Sequence, residues 1–156
     1  MTPERVAAID CGTNSIRLLV ADVTESGATE LAREMRIVRL GQGVDATGRL
    51  APEAIERTLV ATREYADLID SLDVDRIRFC ATSAARDAEN AEEFAAAVHD
   101  LLGVRPEVLT GTQEARASFL GATRGLGATG GDALVFDIGG GSTELVVGKG
   151  EAVAWA

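Results

Sequence analysis

The sequence has few aromatic residues, one histidine, two cysteines and no long hydrophobic run. Aromatic side chains make up only 4% of the 156 residues, so alanine, valine, leucine and isoleucine must build the core, which suits a sheet covered by helices. No apolar stretch approaches the roughly 18 residues needed to cross a bilayer, and the first residues lack the pattern of a secretory signal. We therefore expect a cytoplasmic protein that does not bind membranes.

The rarity of histidine and cysteine excludes several kinds of catalytic and metal site. His99, the single histidine, lies within a helical pattern, so histidine-based nucleophilic catalysis is not expected. Cys11 and Cys80 fall in apolar runs without the spacing of zinc ligands, which predicts two reduced, buried thiols rather than a zinc site or a disulfide. Cys11 is expected to pack in the core rather than to act as a nucleophile.

Basic side chains are scarce relative to acidic ones. The chain has 15 lysines and arginines against 25 aspartates and glutamates, which gives a formal net charge of −10. A protein of this charge does not coat duplex nucleic acid through electrostatic attraction. A polyanionic ligand must instead be bound locally, by a few well-placed groups.

The hydropathy pattern predicts three antiparallel strands followed by helices that alternate with strands. The strands are expected over 6–10, 16–23 and 29–39, and 40–50 has the composition of a loop. The remaining predicted elements are a helix over 52–73, a fully buried strand over 76–81, a helix over 91–102 with an Asn90 and Glu93 capping box, a strand over 107–110 and a helix capped by Thr112 that ends near Gly125.

The last part of the sequence predicts strands arranged like those at the beginning of the chain. Glycines over 125–131 are typical of a linker, and strands are expected over 132–137 and 143–148 and in a final hairpin that ends at Trp155. The order β-β-β-α-β-α-β-α followed by β-β-β indicates an α/β fold with a mixed sheet. We assign residues 1–126 to one domain and residues 132–156 to the opening strands of a second, similar domain.

A repeat links the beginnings of these two parts. Asp10 and Asp137 each end a predicted strand, and each is followed by Gly at +2, Ser at +5 and Leu at +8, so the copies lie 127 residues apart. Repeats of solenoid proteins are only about 20–50 residues long. The sequence therefore indicates two related halves.

Each copy predicts a tight hairpin suited to phosphate binding. Backbone N–H groups and hydroxyls at such a turn can converge on a phosphate, and glycine permits its close approach. On the outgoing strand, Ser15 shares a face with Arg17, and Ser142 shares one with Glu144. Asp137 and Glu144 offer oxygen ligands that suit hydrated Mg²⁺. One such hairpin alone would more often be an ordinary turn, but two matching copies favour phosphate binding.

Four stretches resemble the exopolyphosphatase and guanosine pentaphosphate phosphohydrolase family, which has the fold of actin, Hsp70 and the sugar kinases. Residues 8–20 and 136–145 are similar to its two phosphate loops, and 81–90 and 110–116 match two further stretches. The resemblance spans nearly the whole chain. It implies two ribonuclease-H-like domains around a cleft, where a terminal phosphoanhydride is hydrolysed with Mg²⁺ present.

The resemblance also implies roles for individual residues. Glu114 matches the general base that orients and deprotonates the attacking water. Arg17 and Arg86 would hold phosphate oxygens and offset the charge of the transition state. The acidic metal-site positions correspond to Asp137 and Glu144, with Asp10 as a further candidate. The phosphate-binding positions correspond to Gly12, Thr13, Asn14, Ser15, Ser83, Gly139, Gly140, Gly141 and Ser142.

Some of these residues can have a structural role instead of a functional one. A carboxylate such as Glu114 is favoured in the first turn of any helix by about 0.3–1 kcal/mol. Arg86 can instead pair with Asp87 or Glu89 at the surface, whereas Arg17 lies in an otherwise apolar strand, where an unpaired cation is costly. Gln113 stands where relatives often have a second acidic residue, which can tune Glu114 or substrate preference.

The resemblance leaves more than one function open. Its first implication is release of the terminal phosphate from inorganic polyphosphate, and guanosine pentaphosphate, which ends in the same anhydride, is the alternative substrate. A non-catalytic module that binds polyphosphate or nucleotides is an alternative of another class. An ATPase like the sugar kinases or Hsp70 is less favoured, because 81–90 and 110–116 match the phosphatase pattern.

Family members continue well beyond the second phosphate loop. We therefore expect this chain to be an N-terminal fragment that folds but has little or no activity. Its final strands, over 145–147 and 153–155, are then expected to be exposed and apolar. Exposed strands of this kind favour pairing between chains, which would give a homodimer.

Overall fold

Two β-sheets form the framework of the protein, which a computed structural model describes over residues 2–125 and 131–155. The first sheet has five strands in the order β3-β2-β1-β4-β5, with β1 antiparallel to β2 and parallel to β4. This mixed sheet confirms the predicted α/β fold. Its strands are β1 (Glu4–Cys11), β2 (Ser15–Thr24), β3 (Gly27–Ile37), β4 (Arg76–Ala81) and β5 (Glu107–Val108).

In the part of the chain that the structure describes, three long helices and two single-turn helices connect the strands. The predicted long helices are confirmed within a few residues at their ends. The two short ones were not predicted, and α1 lies inside the segment 40–50 that was expected to be a loop. The helices are α1 (Val44–Thr47), α2 (Pro52–Ser71), α3 (Ser83–Arg86), α4 (Ala91–Leu102) and α5 (Gly111–Gly125).

The main core lies between the first sheet and helices α2 and α4. Tyr65 of α2 is buried, and its hydroxyl donates to the Ile16 carbonyl at 3.0 Å. The prediction that strand 76–81 is fully buried is wrong, because only one of its faces is covered. Phe79 and Ala81 point into the core, whereas Arg76 and Arg78 alternate with them on the exposed face.

Two predicted helix caps are also wrong. The Asn90 side chain does not cap α4, because it is buried and bonds both the N–H and the carbonyl of Leu50, at 2.8 and 3.1 Å. Helix α5 begins before Thr112, and Thr110 and Gln113 cap it reciprocally. The Gln113 N–H lies 3.3 Å from the Thr110 hydroxyl, while the Thr110 N–H donates to Gln113 Oε1 at 2.9 Å.

The second sheet lies in the second described range, 131–155. It has three antiparallel strands in the order β6-β7-β8. They are β6 (Asp132–Ile138), β7 (Thr143–Lys149) and β8 (Ala152–Trp155). The glycine linker predicted over 125–131 lies mostly outside the described residues. Helix α5 packs on one face of this sheet, where Ala115, Phe119 and Val146 form a second small core. The proposed division at 126–132 stays a prediction.

The other face of the second sheet is apolar, and no residue within 2–125 or 131–155 covers it. Phe136 and Ile138 are 63% and 78% exposed, and their alternating neighbours face α5 instead. The prediction that 145–147 and 153–155 are exposed is therefore only partly right, since Val146 is buried under α5 and Val153 packs against the same core. The exposed apolar residues of this face are Leu134, Phe136, Ile138, Leu145, Val147 and Trp155.

Cys11 and Cys80 are both free thiols, but only Cys11 is buried as predicted. Cys80 is half-buried, because it shares the exposed face of β4 with Arg76 and Arg78. Burial, with a smaller contribution from the Asp10 charge, strongly raises the pKa of Cys11, which packs in the main core as the sequence predicts. None of the helices within residues 2–125 and 131–155 is long and apolar enough to span a membrane.

Candidate active site

The two predicted hairpins have the same local geometry. The Gly12 N–H donates to the Ser15 carbonyl at 2.9 Å, and the Gly139 N–H donates to the Ser142 carbonyl at the same 2.9 Å. The repeat seen in the sequence is therefore a repeat in structure. The loop after β3 supports the first hairpin, because the N–H groups of Val38 and Arg39 donate to the Asn14 carbonyl.

The hairpins face each other across a cleft of about 250 Å³. Their tips lie so close that a Cβ atom added to Gly141 would lie 2.6 Å from Oγ1 of Thr13 and 3.0 Å from Oγ of Ser83. The hydroxyls of Thr13 and Ser83 are themselves 2.7 Å apart. The cleft is lined by Asp10, Gly12, Thr13, Asn14, Ser15, Arg17, Thr82, Ser83, Glu114, Asp137, Ile138, Gly139, Gly140 and Ser142.

The tips also present unused hydrogen-bond donors. Within the described part of the chain, the backbone N–H groups of Thr13, Asn14, Gly140 and Gly141 bond no protein acceptor. Successive free N–H groups at a turn form an anion-binding concavity. A phosphate in the cleft beside the tips can therefore accept hydrogen bonds from these groups.

The two hairpins differ in charge at matching positions. Asp10 is the cross-strand partner of Arg17, whereas Asp137 is the partner of Glu144. Arg17 Nη1 lies 3.8 Å from Asp10 Oδ2, and its side chain is 65% exposed. The expectation that Arg17 lies in a costly apolar environment is wrong, because it occupies the open face of β2 between the buried Ile16 and Leu18.

Glu114 lies in the first turn of α5 and reaches the cleft. Its side chain is 14% exposed, and its Oε2 is 3.3 Å from Nη1 of Arg86. Burial raises the pKa of Glu114, the Glu144 charge raises it further, and Arg86 and the nearby Thr82 hydroxyl oppose the rise. A carboxylate whose pKa is raised toward neutrality is suited to general-base chemistry.

Asp10 and Asp137 also interact across the cleft. Burial raises the pKa of Asp10, Arg17 acts in the opposite direction, and the charge of Asp137 adds to the rise. The hairpins thus bring acidic groups together without a matching number of cations. A site of this kind favours a bound cation that offsets the repulsion.

The donor set fits a hydrated Mg²⁺. Within the described ranges, no three histidine, cysteine, aspartate or glutamate side chains group closely enough to enclose a metal. Mg²⁺ usually keeps several waters and takes one or two carboxylates together with substrate phosphates. The cross-strand pair Asp137 and Glu144 offers such carboxylates, with Asp10 facing them.

Most predicted site residues meet at the cleft, but three do not line it. Gly141 contacts the Thr13 and Ser83 hydroxyls, Arg86 lies behind Glu114, and Glu144 acts on Glu114 through its charge. The sequence interpretation missed Thr82, which follows β4. Because β4 is parallel to β1, the carboxyl ends of both strands meet at the same sheet edge, and this could have indicated Thr82.

A family model described as the Ppx/GppA phosphatase family matches residues 19–156. The chain belongs to this family. It is 54% identical over 163 residues to Exopolyphosphatase 2 of Mycobacterium tuberculosis strain H37Rv, with 99% of this chain and 51% of the relative covered. The chain thus spans about half the length of this relative.

Solved structures of Ppx/GppA proteins have the same fold. The crystal structure of an exopolyphosphatase-like protein matches with a TM-score of 0.94 and 50% identity, over 99% of this chain and 49% of that one. A Ppx/GppA family member from Aquifex aeolicus matches with a TM-score of 0.83 and 41% identity, over 97% of this chain and 49% of that one. These similarities confirm the fold that the sequence resemblance implied.

Proposed function

We propose that this chain carries the catalytic cleft of a Mg²⁺-dependent enzyme that releases the terminal phosphate from inorganic polyphosphate. The observation that supports this most strongly is the pairing of two matching hairpins, Gly12–Ser15 and Gly139–Ser142, around one cleft with Glu114 at its wall. Membership of the Ppx/GppA phosphatase family and similarity to an exopolyphosphatase add to this support.

The terminal phosphate binds in the cleft beside the contacting hairpin tips in this proposal. The free N–H groups of Thr13, Asn14, Gly140 and Gly141 donate to its oxygens. The cation Arg17, which lines the same cleft, offsets part of the negative charge. Positioning and electrostatic stabilisation supply most of the catalysis in phosphoryl transfer.

Glu114 acts as the general base. Its carboxylate accepts a proton from a water molecule as the water oxygen bonds to the terminal phosphorus, and the bridging P–O bond breaks to release the shortened chain. Arg86 holds Glu114 in place through the 3.3 Å contact. Asp137 and Glu144 would hold a hydrated Mg²⁺ that Asp10 faces, and the ion would neutralise phosphate charge when it is bound.

The test is an assay of phosphate release. Because the chain spans half of its relative, we would join residues 1–156 to the second half of Exopolyphosphatase 2 and compare this chimera with its Glu114→Gln variant. We expect release from polyphosphate to fall by about 10²–10⁴ in the variant, since general-base catalysis contributes a factor of that size. Equal rates in the two proteins would remove Glu114 from the mechanism.

Two further measurements separate the alternatives. Rates with polyphosphate and with guanosine pentaphosphate compare the two substrates that end in the same anhydride. Mg²⁺-dependent binding of tripolyphosphate without any release would instead favour a non-catalytic binding module. A cytoplasmic location is part of the proposal, and the two free thiols support it.

A further inference from the structure

Ser118 of helix α5 contacts the second hairpin, and no pattern in the sequence predicts this contact. Its hydroxyl donates a hydrogen bond to Oδ2 of Asp137, at the end of β6. Ser118 is half-buried, and the two residues are 19 positions apart in the chain. The bond therefore joins the helix to the carboxylate that the proposed function assigns to the metal.

The Ser118 hydroxyl has a different kind of hydrogen-bond acceptor from the threonine hydroxyls of the long helices. Thr58, Thr62 and Thr123 each donate to the backbone carbonyl four residues earlier, at 2.7, 2.8 and 2.8 Å. This is the usual partner of a hydroxyl within a helix. The Ser118 hydroxyl instead leaves its own helix and bonds a carboxylate on another element.

The position of Ser118 on α5 adds to the argument. Ser118 follows Glu114 by four residues, so the two side chains lie on the same face of the helix, one turn apart. Glu114 reaches the cleft and Ser118 reaches Asp137, which also lines the cleft. One rigid helix thus holds both the proposed base and the orientation of a proposed metal ligand.

Without this bond, the orientation of Asp137 would be poorly determined. Its cross-strand partner is Glu144, which carries the same charge, and like charges opposite each other in a sheet repel. The Ser118 hydroxyl offers a donor that opposes rotation of the carboxylate away from Glu144. A second hydrogen-bonding partner of this kind commonly tunes the affinity of a metal ligand by a factor of about 10–100.

We propose that Ser118 is a positioning residue, which holds the Asp137 carboxylate in the orientation that binds Mg²⁺ and at a fixed place relative to Glu114. This inference rests on the proposed function, because it assigns Mg²⁺ to Asp137.

The test is titration of the 156-residue chain with MgCl₂, with binding measured by isothermal titration calorimetry. We expect Ser118→Ala to weaken Mg²⁺ binding about ten-fold and Ser118→Thr, which keeps the hydroxyl, to restore most of the affinity. Alanine is the better helix former, so loss of the fold does not explain a weaker affinity. The matched control is Thr123→Val, which removes a hydroxyl of the same helix that bonds only backbone.

The outcomes separate this inference from the proposed function. Unchanged affinity in Ser118→Ala, while Asp137→Asn loses binding, overturns the role of Ser118 and leaves the proposed function standing. Equal weakening in Thr123→Val also overturns it, because the effect is then a general one on the helix. Failure of the unmodified chain to bind Mg²⁺ overturns both this inference and the proposed metal site.

A kinetic measurement on the chimera gives a second readout. Ser118→Ala should raise the Mg²⁺ concentration needed for half-maximal phosphate release, while kcat at saturating Mg²⁺ stays close to that of the unmodified protein. A fall in kcat that saturating Mg²⁺ does not restore contradicts a role through the metal ligand.

Discussion

Nη1 of Arg86 lies 3.3 Å from Oε2 of Glu114, and the same nitrogen donates to the Leu109 carbonyl at 2.7 Å. Arg86 ends the short helix α3, whereas Glu114 lies in the first turn of α5, so the contact joins two separate elements beside the cleft. The guanidinium is fixed by two acceptors and in turn fixes the carboxylate. A charge-assisted contact of this kind orients a base more firmly than a neutral hydrogen bond.

The first prediction concerns the pH dependence of activity in Arg86→Ala. Arg86 lowers the pKa of Glu114, against burial and the Glu144 charge, which raise it. Removal of Arg86 must therefore raise this pKa further. Because the base acts in its ionised form, the acid limb of the kcat/KM profile of the chimera should move to higher pH.

Arg78→Ala is the matched control for this prediction. Arg78 also pairs with a glutamate, Glu107, at 2.7 Å, but both side chains are largely exposed and lie away from the cleft. The acid limb of the kcat/KM profile of Arg78→Ala should coincide with that of the unmodified chimera. An unshifted limb in Arg86→Ala would show that the contact does not govern the ionisation of Glu114.

The second prediction concerns the approach of the two hairpins. The Cβ atom of Gly141→Ala would lie 2.6 Å from the Thr13 hydroxyl oxygen, so either the Thr13 side chain or one hairpin must shift. The φ angle of Gly141 is not positive, which means that the effect is steric rather than one of backbone strain. We expect tripolyphosphate binding with Mg²⁺ present to weaken at least ten-fold, measured by calorimetry.

Gly121→Ala provides the control, since a Cβ atom at Gly121 meets nothing within 4 Å. It lies in α5, where alanine should stabilise the protein by about 0.5–1 kcal/mol, and ligand affinity should not change. Equal affinity in Gly141→Ala and Gly121→Ala would contradict the close contact of the tips.

The third prediction assigns Gln113 a role in the helix start. Gln113 Oε1 accepts from both the N–H and the hydroxyl of Thr110, at 2.9 and 3.0 Å. Gln113→Ala should lower the free energy of unfolding by about 0.5–2 kcal/mol, as the loss of a cap does. Gln113→Glu keeps an acceptor at this position and should unfold at nearly the same denaturant concentration as the unmodified chain.

This result would separate a structural role from a catalytic one. The sequence interpretation allowed Gln113 to tune Glu114 or substrate preference, whereas its observed partner is Thr110. If Gln113→Ala is as stable as the unmodified chain, the capping bonds do not stabilise the helix.

The fourth prediction concerns the uncovered face of the second sheet. Large exposed apolar patches favour association, and Phe136 is 63% exposed at the centre of this one. We expect sedimentation velocity to detect concentration-dependent self-association of the chain, and Phe136→Lys to reduce it. Val60→Lys introduces the same charge at an exposed position of α2 and should leave association unchanged. A monomer at all concentrations would contradict this expectation.

Much of the fold was accessible from the sequence, because the signals are local. Period-two and helical patterns predict β1, β2, β6, β7 and the long helices, and the Asp, Gly and Ser spacing predicts both hairpins. The errors also have local causes. The segment 40–50 contains the single turn α1, which is too short to give a helical pattern. The cap predicted for Asn90 was wrong because that side chain bonds Leu50, 40 residues away.

The amino-acid sequence by itself determined the two hairpins and their chemistry, since a tight turn depends only on neighbouring residues and glycine at its tip. Only the tertiary structure decided which groups meet there. Helix α5 buries Phe119 against the second sheet, and this packing brings Ser118 to Asp137 and Glu114 into the reach of Glu144's charge. These pairs depend on the docking of a helix onto a sheet formed later in the chain, which no local pattern encodes.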